Sequence, residues 1–170
     1  MMKMTSAHAN KMLRKLNEDK EFWRSKEKEG CFYTASLNED PVIPEYDYSE
    51  VAKNISEIDA KILKIKHAIN VSNCTNMIQV GDAQMTVDMI LVKMAQLNRR
   101  KSILDGMRKK QPKTRVGVAY YSSRSTPEYE YINYDINIVK GEYEQIDAQI
   151  SVMQIALDKY NQTVEFEVEI

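Results

Sequence analysis

The sequence predicts a mainly α-helical protein: an antiparallel bundle of four long helices, or coiled-coil hairpins, with a small antiparallel β-sheet. Two runs of apolar residues at heptad spacing predict two of the helices. Only 5 Gly and 4 Pro occur in 170 residues, which indicates few interruptions and long regular elements. Apolar and acidic residues alternate in TVEFEVEI at the C-terminus, which predicts a strand over 163–170.

The most regular helix is predicted over 48–71. Its apolar residues recur at intervals of four and three, as the a and d positions of a heptad do. They are Val51, Ile55, Ile58, Ile62, Ile65 and Ile69. Asp47 or Ser49 is a suitable N-cap. The polar stretch 70–76 predicts that this helix ends at 70–73, where Asn73 and Asn76 form a structural turn.

The same spacing returns over 135–161 and predicts a second heptad helix. Its apolar positions are Val139, Tyr143, Ile146, Ile150, Met153, Leu157 and Tyr160. Gly141 lowers the stability of this helix by up to about 1 kcal/mol relative to Ala, which the apolar stripe outweighs.

Two further helices have less regular apolar faces. One is predicted over 5–29, before Gly30, and the other over 85–110, with Thr86 as its cap and Pro112 preventing continuation. Four helices of similar length, each with one apolar stripe, favour a bundle. We therefore expect a single helical domain over 1–170.

Short strand-like pieces lie between the helices. The segments 115–121 and 128–134 flank the turn-like SSRSTP and predict a β-hairpin near 115–134. The segment 31–37, CFYTASL, predicts another strand, and NEDPVIPEYD after it reads as a loop.

Composition argues against several function classes. The net charge is −1, from 24 basic and 25 acidic residues, so no overall field favours nucleic acid or membrane. No stretch approaches the 18 apolar residues of a transmembrane helix, and the first residues do not resemble a signal peptide. We expect a cytoplasmic protein in which Cys31 and Cys74 are free thiols.

The sequence predicts no catalytic, cofactor-binding or metal site. His8 and His67 stand outside the spacings typical of zinc ligands, and neither cysteine has a close partner. No nucleophile elbow or glycine-rich phosphate loop is present. We therefore expect a protein that is not an enzyme and has no cofactor.

One segment, 99–115, is strongly basic, with eight cationic side chains and one acidic residue, Asp105. The candidates for contact with an anion or nucleic acid are Arg99, Arg100, Lys101, Arg108, Lys109 and Lys110. A structural role is favoured, because cations stabilise a helix C-terminus and pair with acidic residues. The acidic face formed by Glu165, Glu167 and Glu169 is one expected partner.

Self-association is the favoured interaction. The two heptad stripes, the ten tyrosines and the alternating C-terminal strand provide more amphipathic surface than one small bundle needs. The expected partner is a second copy of the chain, in a dimer or higher oligomer. An unidentified protein partner is also compatible with this surface, and nucleic acid is the less favoured partner.

The order of several motifs resembles a family of small bacterial proteins labelled septicolysin-like, after a proposed pore-forming cytolysin. INVSNCTN, a glycine and MTVDMILVKMAQLNRRKSIL are followed by SRSTPEYEYINYDINIVKGEYEQIDAQI and a late N-x-T-V-x-F. The resemblance covers roughly 50–165 and carries over no catalytic residue. The matching positions are Asn73, Thr75, Asn76, Thr86, Arg99, Ser123, Arg124, Ser125, Asp135 and Asp147.

Three hypotheses about function follow. The first is a non-enzymatic cytoplasmic interaction or structural protein that self-associates through its heptad seams. The second, implied by the resemblance, is a toxin-like, membrane-active protein. The third is a nucleic-acid-binding module that uses the basic segment 99–115.

Overall fold

The computed structural model describes residues 1–116 and 127–170, and within these residues the protein is mainly helical. The four long helices are α1 (Ser6–Gly30), α2 (Tyr48–Thr75), α3 (Val87–Arg108) and α4 (Ile136–Thr163). The short strands are β1 (Met2–Thr5), β2 (Met77–Val80), β3 (Ala83–Thr86), β4 (Lys113–Arg115), β5 (Tyr129–Tyr131) and β6 (Glu165–Val168). The prediction of a mainly helical protein with four long helices and antiparallel strands is confirmed.

The described strands form three separate pairs rather than one small sheet. β1 is antiparallel to β6, β4 is antiparallel to β5, and β2 pairs with β3. The turn between β2 and β3 contains Gly81, whose φ of 58° lies in the left-handed region that favours glycine. Most of the first strand predicted at 115–121 lies outside the described residues.

The chain divides into two compact units. Unit 1 comprises Met1–Ile78 and Leu157–Ile170, and unit 2 comprises Gln79–Ala156. The single domain expected from the sequence stays a prediction.

Unit 1 is built on the pairing of α1 and α2, closed at one end by β1 and β6. Its core contains Met4, Ala9, Ile65 and Val168, all of which are fully buried. The half-buried residues that pack against this core are Met12, Leu13, Leu16, Ala68, Ile69 and Phe166. The two terminal strands therefore contribute to the same core as the helix pair.

Burial along α2 recurs every seven residues. Val51, Ile58, Ile65 and Ser72 are buried, while Ile55, Ile62 and Ile69 between them are half-buried. Seven residues are close to two helical turns, so these four side chains lie on one stripe. The predicted heptad pattern therefore marks the buried face of α2.

Local contacts explain where α1 and α2 begin and end. The Thr5 side chain accepts a hydrogen bond from the His8 N–H at the start of α1. Asp47 caps α2 by accepting from the N–H groups of Ser49 and Glu50, at 2.7 and 3.3 Å, which confirms Asp47 as the N-cap.

The end of α1 requires a glycine. At its last residue, Gly30, a Cβ would lie 2.7 Å from the Tyr46 Cβ, so only glycine permits this close approach.

Two local predictions are wrong. The segment 31–37 is an exposed loop rather than a strand, because its β-favouring residues have no neighbouring strand with which to pair. The second error concerns α2, which continues to Thr75 instead of ending at 70–73. Its polar residues fit within the helix, as the Thr75 hydroxyl shows by donating to the Val71 carbonyl oxygen at 2.8 Å.

Unit 2 is built on the pairing of α3 with the first five turns of α4. Leu104, Val139 and Ile146 form its buried core. Leu97, Met107, Tyr134, Tyr143 and Ile150 pack around that core. The Tyr134 hydroxyl donates to the Met107 carbonyl oxygen at 2.8 Å, which ties the segment before α4 to the end of α3.

We predict that Ile65→Ala destabilises the protein by about 2–5 kcal/mol, because Ile65 is completely buried in the core of unit 1. Leu63→Ala is the matched control, since Leu63 lies two residues away on the same helix and is 71% exposed. We expect the control to change stability by less than about 0.5 kcal/mol. Equal losses in urea-unfolding measurements of the two variants would contradict the assignment of the buried stripe.

Candidate functional site

The basic segment forms a surface on the second half of α3, and five of its six candidate residues pair with carboxylates. Arg100 donates to both oxygens of Glu142, from Nε at 2.8 Å and from Nη2 at 3.0 Å. Lys101 pairs with Asp147. Both acids lie on α4, so these ion pairs join the two helices of unit 2.

The other pairs lie near the end of α3. Asp105 binds Arg108 and Lys109, with 2.7 Å between its Oδ1 and the Arg108 Nη2. Lys110 lies 3.5 Å from Glu130 on β5. Arg99 is exposed and has no ion pair with a residue in the described part of the chain. The basic surface is therefore largely neutralised by acids of its own unit.

These contacts shift several pKa values. The hydrogen bonds and charge of the Arg100–Glu142 pair raise the pKa of Arg100 and lower that of Glu142. Hydrogen bonds from Lys109 and then Arg108 lower the pKa of Asp105. The hydrogen bond to Asp147 raises the pKa of Lys101. Each pKa shift favours the charged form of the side chain, which is the form that makes the ion pair.

The ring of Tyr143 makes cation–π contacts with two of the cationic side chains. The Arg108 guanidinium lies 4.0 Å from the centre of the Tyr143 ring, and the Lys101 Nζ lies 5.5 Å from it. A cation over an aromatic face gains about 0.5–1 kcal/mol at exposed sites. The same side chains border a shallow depression of about 490 Å³ on the surface of unit 2.

The expected pairing of the acidic face of β6 with the basic segment stays a prediction, and the ion pairs within each unit involve other residues. The ion pairs to the five cations come from Asp105, Glu130, Glu142 and Asp147, whereas Glu167 pairs with Lys3 at 3.7 Å. Glu142 and Asp147 lie more than 40 residues from their partners along the chain, so only the helix pairing reveals them.

The predicted turn residues have different roles. Asn76 is the C-cap of α2, and its side-chain Nδ2 donates to the Ser72 carbonyl oxygen at 2.9 Å. Asn73 is half-buried within α2. Thr86 stands at the N-cap of α3, where its hydroxyl donates to Asp88 rather than accepting from the helix backbone.

Asn76 also belongs to a polar cluster that the sequence did not predict. The hydroxyls of Ser72 and Tyr160 lie 2.6 Å apart, and Asn76 Nδ2 donates to the Ser72 hydroxyl at 2.9 Å and to that of Tyr160 at 3.2 Å. Ser72 and Tyr160 are buried. The Ser72–Tyr160–Asn76 cluster thus joins the end of α2 to the last turns of α4 within unit 1.

A groove of about 440 Å³ lies beside this cluster, between the second half of α2 and β6. Ala68 and Val71 lie on its helical side, and Phe166 and Val168 lie on its strand side. The sequence predicted the strand over 163–170 but did not place it against α2. We call this feature the α2–β6 groove.

Within the described residues, no group of three or more His, Cys, Asp or Glu side chains is arranged to hold a metal ion. Cys31 and Cys74 are both exposed free thiols. None of the helices in the described ranges is both long and apolar enough to cross a membrane.

Comparisons with known proteins extend the description of the fold but not of the function. No protein-family model matches the chain, and no curated protein matches its sequence. A functionally unknown conserved protein from Corynebacterium diphtheriae has a similar crystal structure, with a TM-score of 0.65 and 12% sequence identity. The similarity covers 98% of this chain and 100% of that one, so the two proteins share a fold.

We predict that Tyr160→Phe destabilises the protein by about 1–2 kcal/mol, because it leaves the buried Ser72 hydroxyl and the Asn76 amide without one of their partners. Tyr48→Phe, on the exposed start of α2, is the matched control and should be neutral within about 0.5 kcal/mol. Urea unfolding measures both. A neutral Tyr160→Phe would show that the cluster does not stabilise the fold.

We predict that Asp105→Asn lowers the melting temperature at about pH 7 and that this loss is smaller at about pH 3. The folded-state pKa of Asp105 is lowered, so its charged form stabilises the fold above the unfolded pKa of about 4. That contribution is lost as the pH falls through the folded pKa. Asp19→Asn is the control, since Asp19 is exposed on α1 and has no ion pair in the described ranges. An equal loss for Asp105→Asn at both pH values would contradict the electrostatic explanation.

Proposed function

We propose that this chain is a non-enzymatic cytoplasmic protein that acts by associating with a second copy of itself. Its helices pair as antiparallel, coiled-coil-like hairpins, α1 with α2 and α3 with α4. The loop that joins α1 and α2 supplies the association surface. The observation that carries the proposal is the exposure of the apolar side chains in this loop.

The spacing of shielded residues supports the coiled-coil pairing. In α1 the less exposed residues recur at intervals of three and four, as they do in α2. Apart from Met12, which is also half-buried, they are Ser6, Ala9, Leu13, Leu16, Lys20, Trp23, Glu27 and Gly30. Lys20 stands on this stripe and pairs with Asp59 of α2 at 2.6 Å. A charged residue at such a position favours one register of the two helices.

The positions of the contacts support an antiparallel arrangement. In unit 1, Lys20 reaches Asp59, while the later Gly30 approaches the earlier Tyr46. In unit 2, Arg100 contacts Glu142, and the later Met107 accepts from the earlier Tyr134. These contacts support helices that run in opposite directions within each pair, with their apolar stripes packed inside one chain.

The loop 31–47 carries a group of exposed apolar residues close together in sequence. Every residue from 31 to 43 is exposed, and none of 31–47 forms a helix or strand. Phe32 is 84% and Val42 is 90% exposed. The large apolar residues of this loop that contact water are Phe32, Tyr33, Leu37, Val42 and Ile43. Burying five such side chains in an interface provides a substantial hydrophobic driving force.

The charge and symmetry of the interaction favour a second copy of the chain as the partner that covers the loop 31–47. The net charge of −1 means that two copies do not repel each other strongly. A two-fold axis through the loop places the same apolar residues of both chains together, as in a self-complementary interface. Five of the six candidate cations on the basic surface already pair with carboxylates, which makes nucleic acid the less favoured partner.

We predict a solution mass of at least twice the 19.7 kDa chain mass, from light scattering at tens of micromolar protein. The triple variant Phe32→Ser, Leu37→Ser, Ile43→Ser should be monomeric, because it removes the apolar surface of the loop. The control replaces three exposed apolar residues on helices, Leu63→Ser, Ile138→Ser and Ile155→Ser, and should keep the wild-type mass. A monomeric wild type, or a triple loop variant with unchanged mass, would overturn the proposal.

A further inference from the structure

The α2–β6 groove lies along an unpaired edge of a strand. In the described part of the chain, β6 pairs with β1 along one edge and with no strand along the other. Phe166, Glu167 and Val168 of β6 line the groove, opposite the second half of α2. An unpaired edge presents backbone N–H and C=O groups that can accept an additional strand.

β1, the strand already paired with β6, shows which side chains pack favourably against those of β6. Met4 lies opposite Phe166 and is buried, whereas Lys3 lies opposite Glu167 and forms an ion pair with it at 3.7 Å. The neighbouring residues of β1 thus alternate between a buried apolar contact and an exposed contact with a carboxylate. β6 has this alternation along its whole length.

The acidic face of β6 has unused charge. Glu165 and Glu169 are exposed and form no ion pair with a residue in the described ranges. The opposite face is apolar, and Ala68 and Val71 of α2 extend it across the groove, which Glu167 and Glu169 also line. A strand added at the open edge would therefore place basic residues beside the glutamates and apolar residues in the groove.

From this geometry we propose that the open edge of β6 binds an extended peptide of another protein, in which apolar residues alternate with Lys or Arg. β6 has four residues, so the bound segment is about four to six residues long. Lys64 and His67 line the helical wall, which disfavours basic side chains on the inward face. Two copies of β6 are a poor match, because pairing them would gather their glutamates on one face.

This peptide site is separate from the loop 31–47 proposed for self-association. Either proposal can therefore be wrong while the other is right. The probe is a fluorescein-labelled peptide of sequence Val-Lys-Val-Lys-Val-Lys with blocked ends, measured by fluorescence anisotropy at about 0.15 M salt. We expect saturable binding to the full chain. Absence of binding up to the millimolar range would overturn the proposal.

Two matched comparisons test the recognition of side chains. Glu165→Lys with Glu169→Lys should weaken binding by at least about tenfold. Glu18→Lys with Glu29→Lys makes the same charge change at exposed positions on α1 and should have little effect.

A second peptide tests the apolar contacts. Gly-Lys-Gly-Lys-Gly-Lys keeps the charge but lacks apolar side chains, so it should bind at least about tenfold more weakly. Equal binding of the two peptides, or equal effects of the two double variants, would indicate unspecific charge attraction and overturn the proposal.

Backbone methylation tests the pairing itself. In a strand, alternate N–H groups point towards the same neighbour, so only one alternate set of peptide N–H groups bonds to β6. Of two peptides methylated on one alternate set or the other, one should lose binding and the other should retain it. Equal affinities of the two methylated peptides would contradict strand addition.

Discussion

The rest of the structure depends on the burial of one stripe of side chains at heptad spacing along α2 and one along α4. In α2 this series ends at Ser72, and in α4 Val139, Ile146 and Met153 are followed by Tyr160. Seven residues fall about 20° short of two full turns, so each series stays on one narrow stripe. The last member of each series is polar, and the two hydroxyls bond to each other at 2.6 Å. Each apolar stripe thus ends in a polar contact that satisfies its buried groups.

The charged residues depend on the same stripes. Once the apolar residues of α3 and α4 pack together, Arg100 and Lys101 lie beside the acids of α4. Arg100 and Lys101 of the basic segment therefore stabilise a helix pair. Exposed ion pairs contribute little individually, so their main effect here is to fix the register of α3 against α4.

The sequence predicted the helices well because their signal is local. The heptad spacing located α2 and α4 to within a few residues, and Asp47 marked the start of α2. It did not predict β1, whose four residues form a strand only because β6 lies beside them. The reverse error occurred at 31–37, where favourable residues for a strand have no partner. Strands and ion pairs depend on distant residues, so local patterns do not determine them.

Amide hydrogen exchange at two protein concentrations tests most directly whether a second copy of the chain covers the exposed loop 31–47. The loop amides should exchange rapidly in dilute protein and more slowly at high concentration, because association covers them. Amides in the buried stripes, such as that of Ile65, should exchange slowly under both conditions. Rapid exchange of the loop at every concentration would contradict the account.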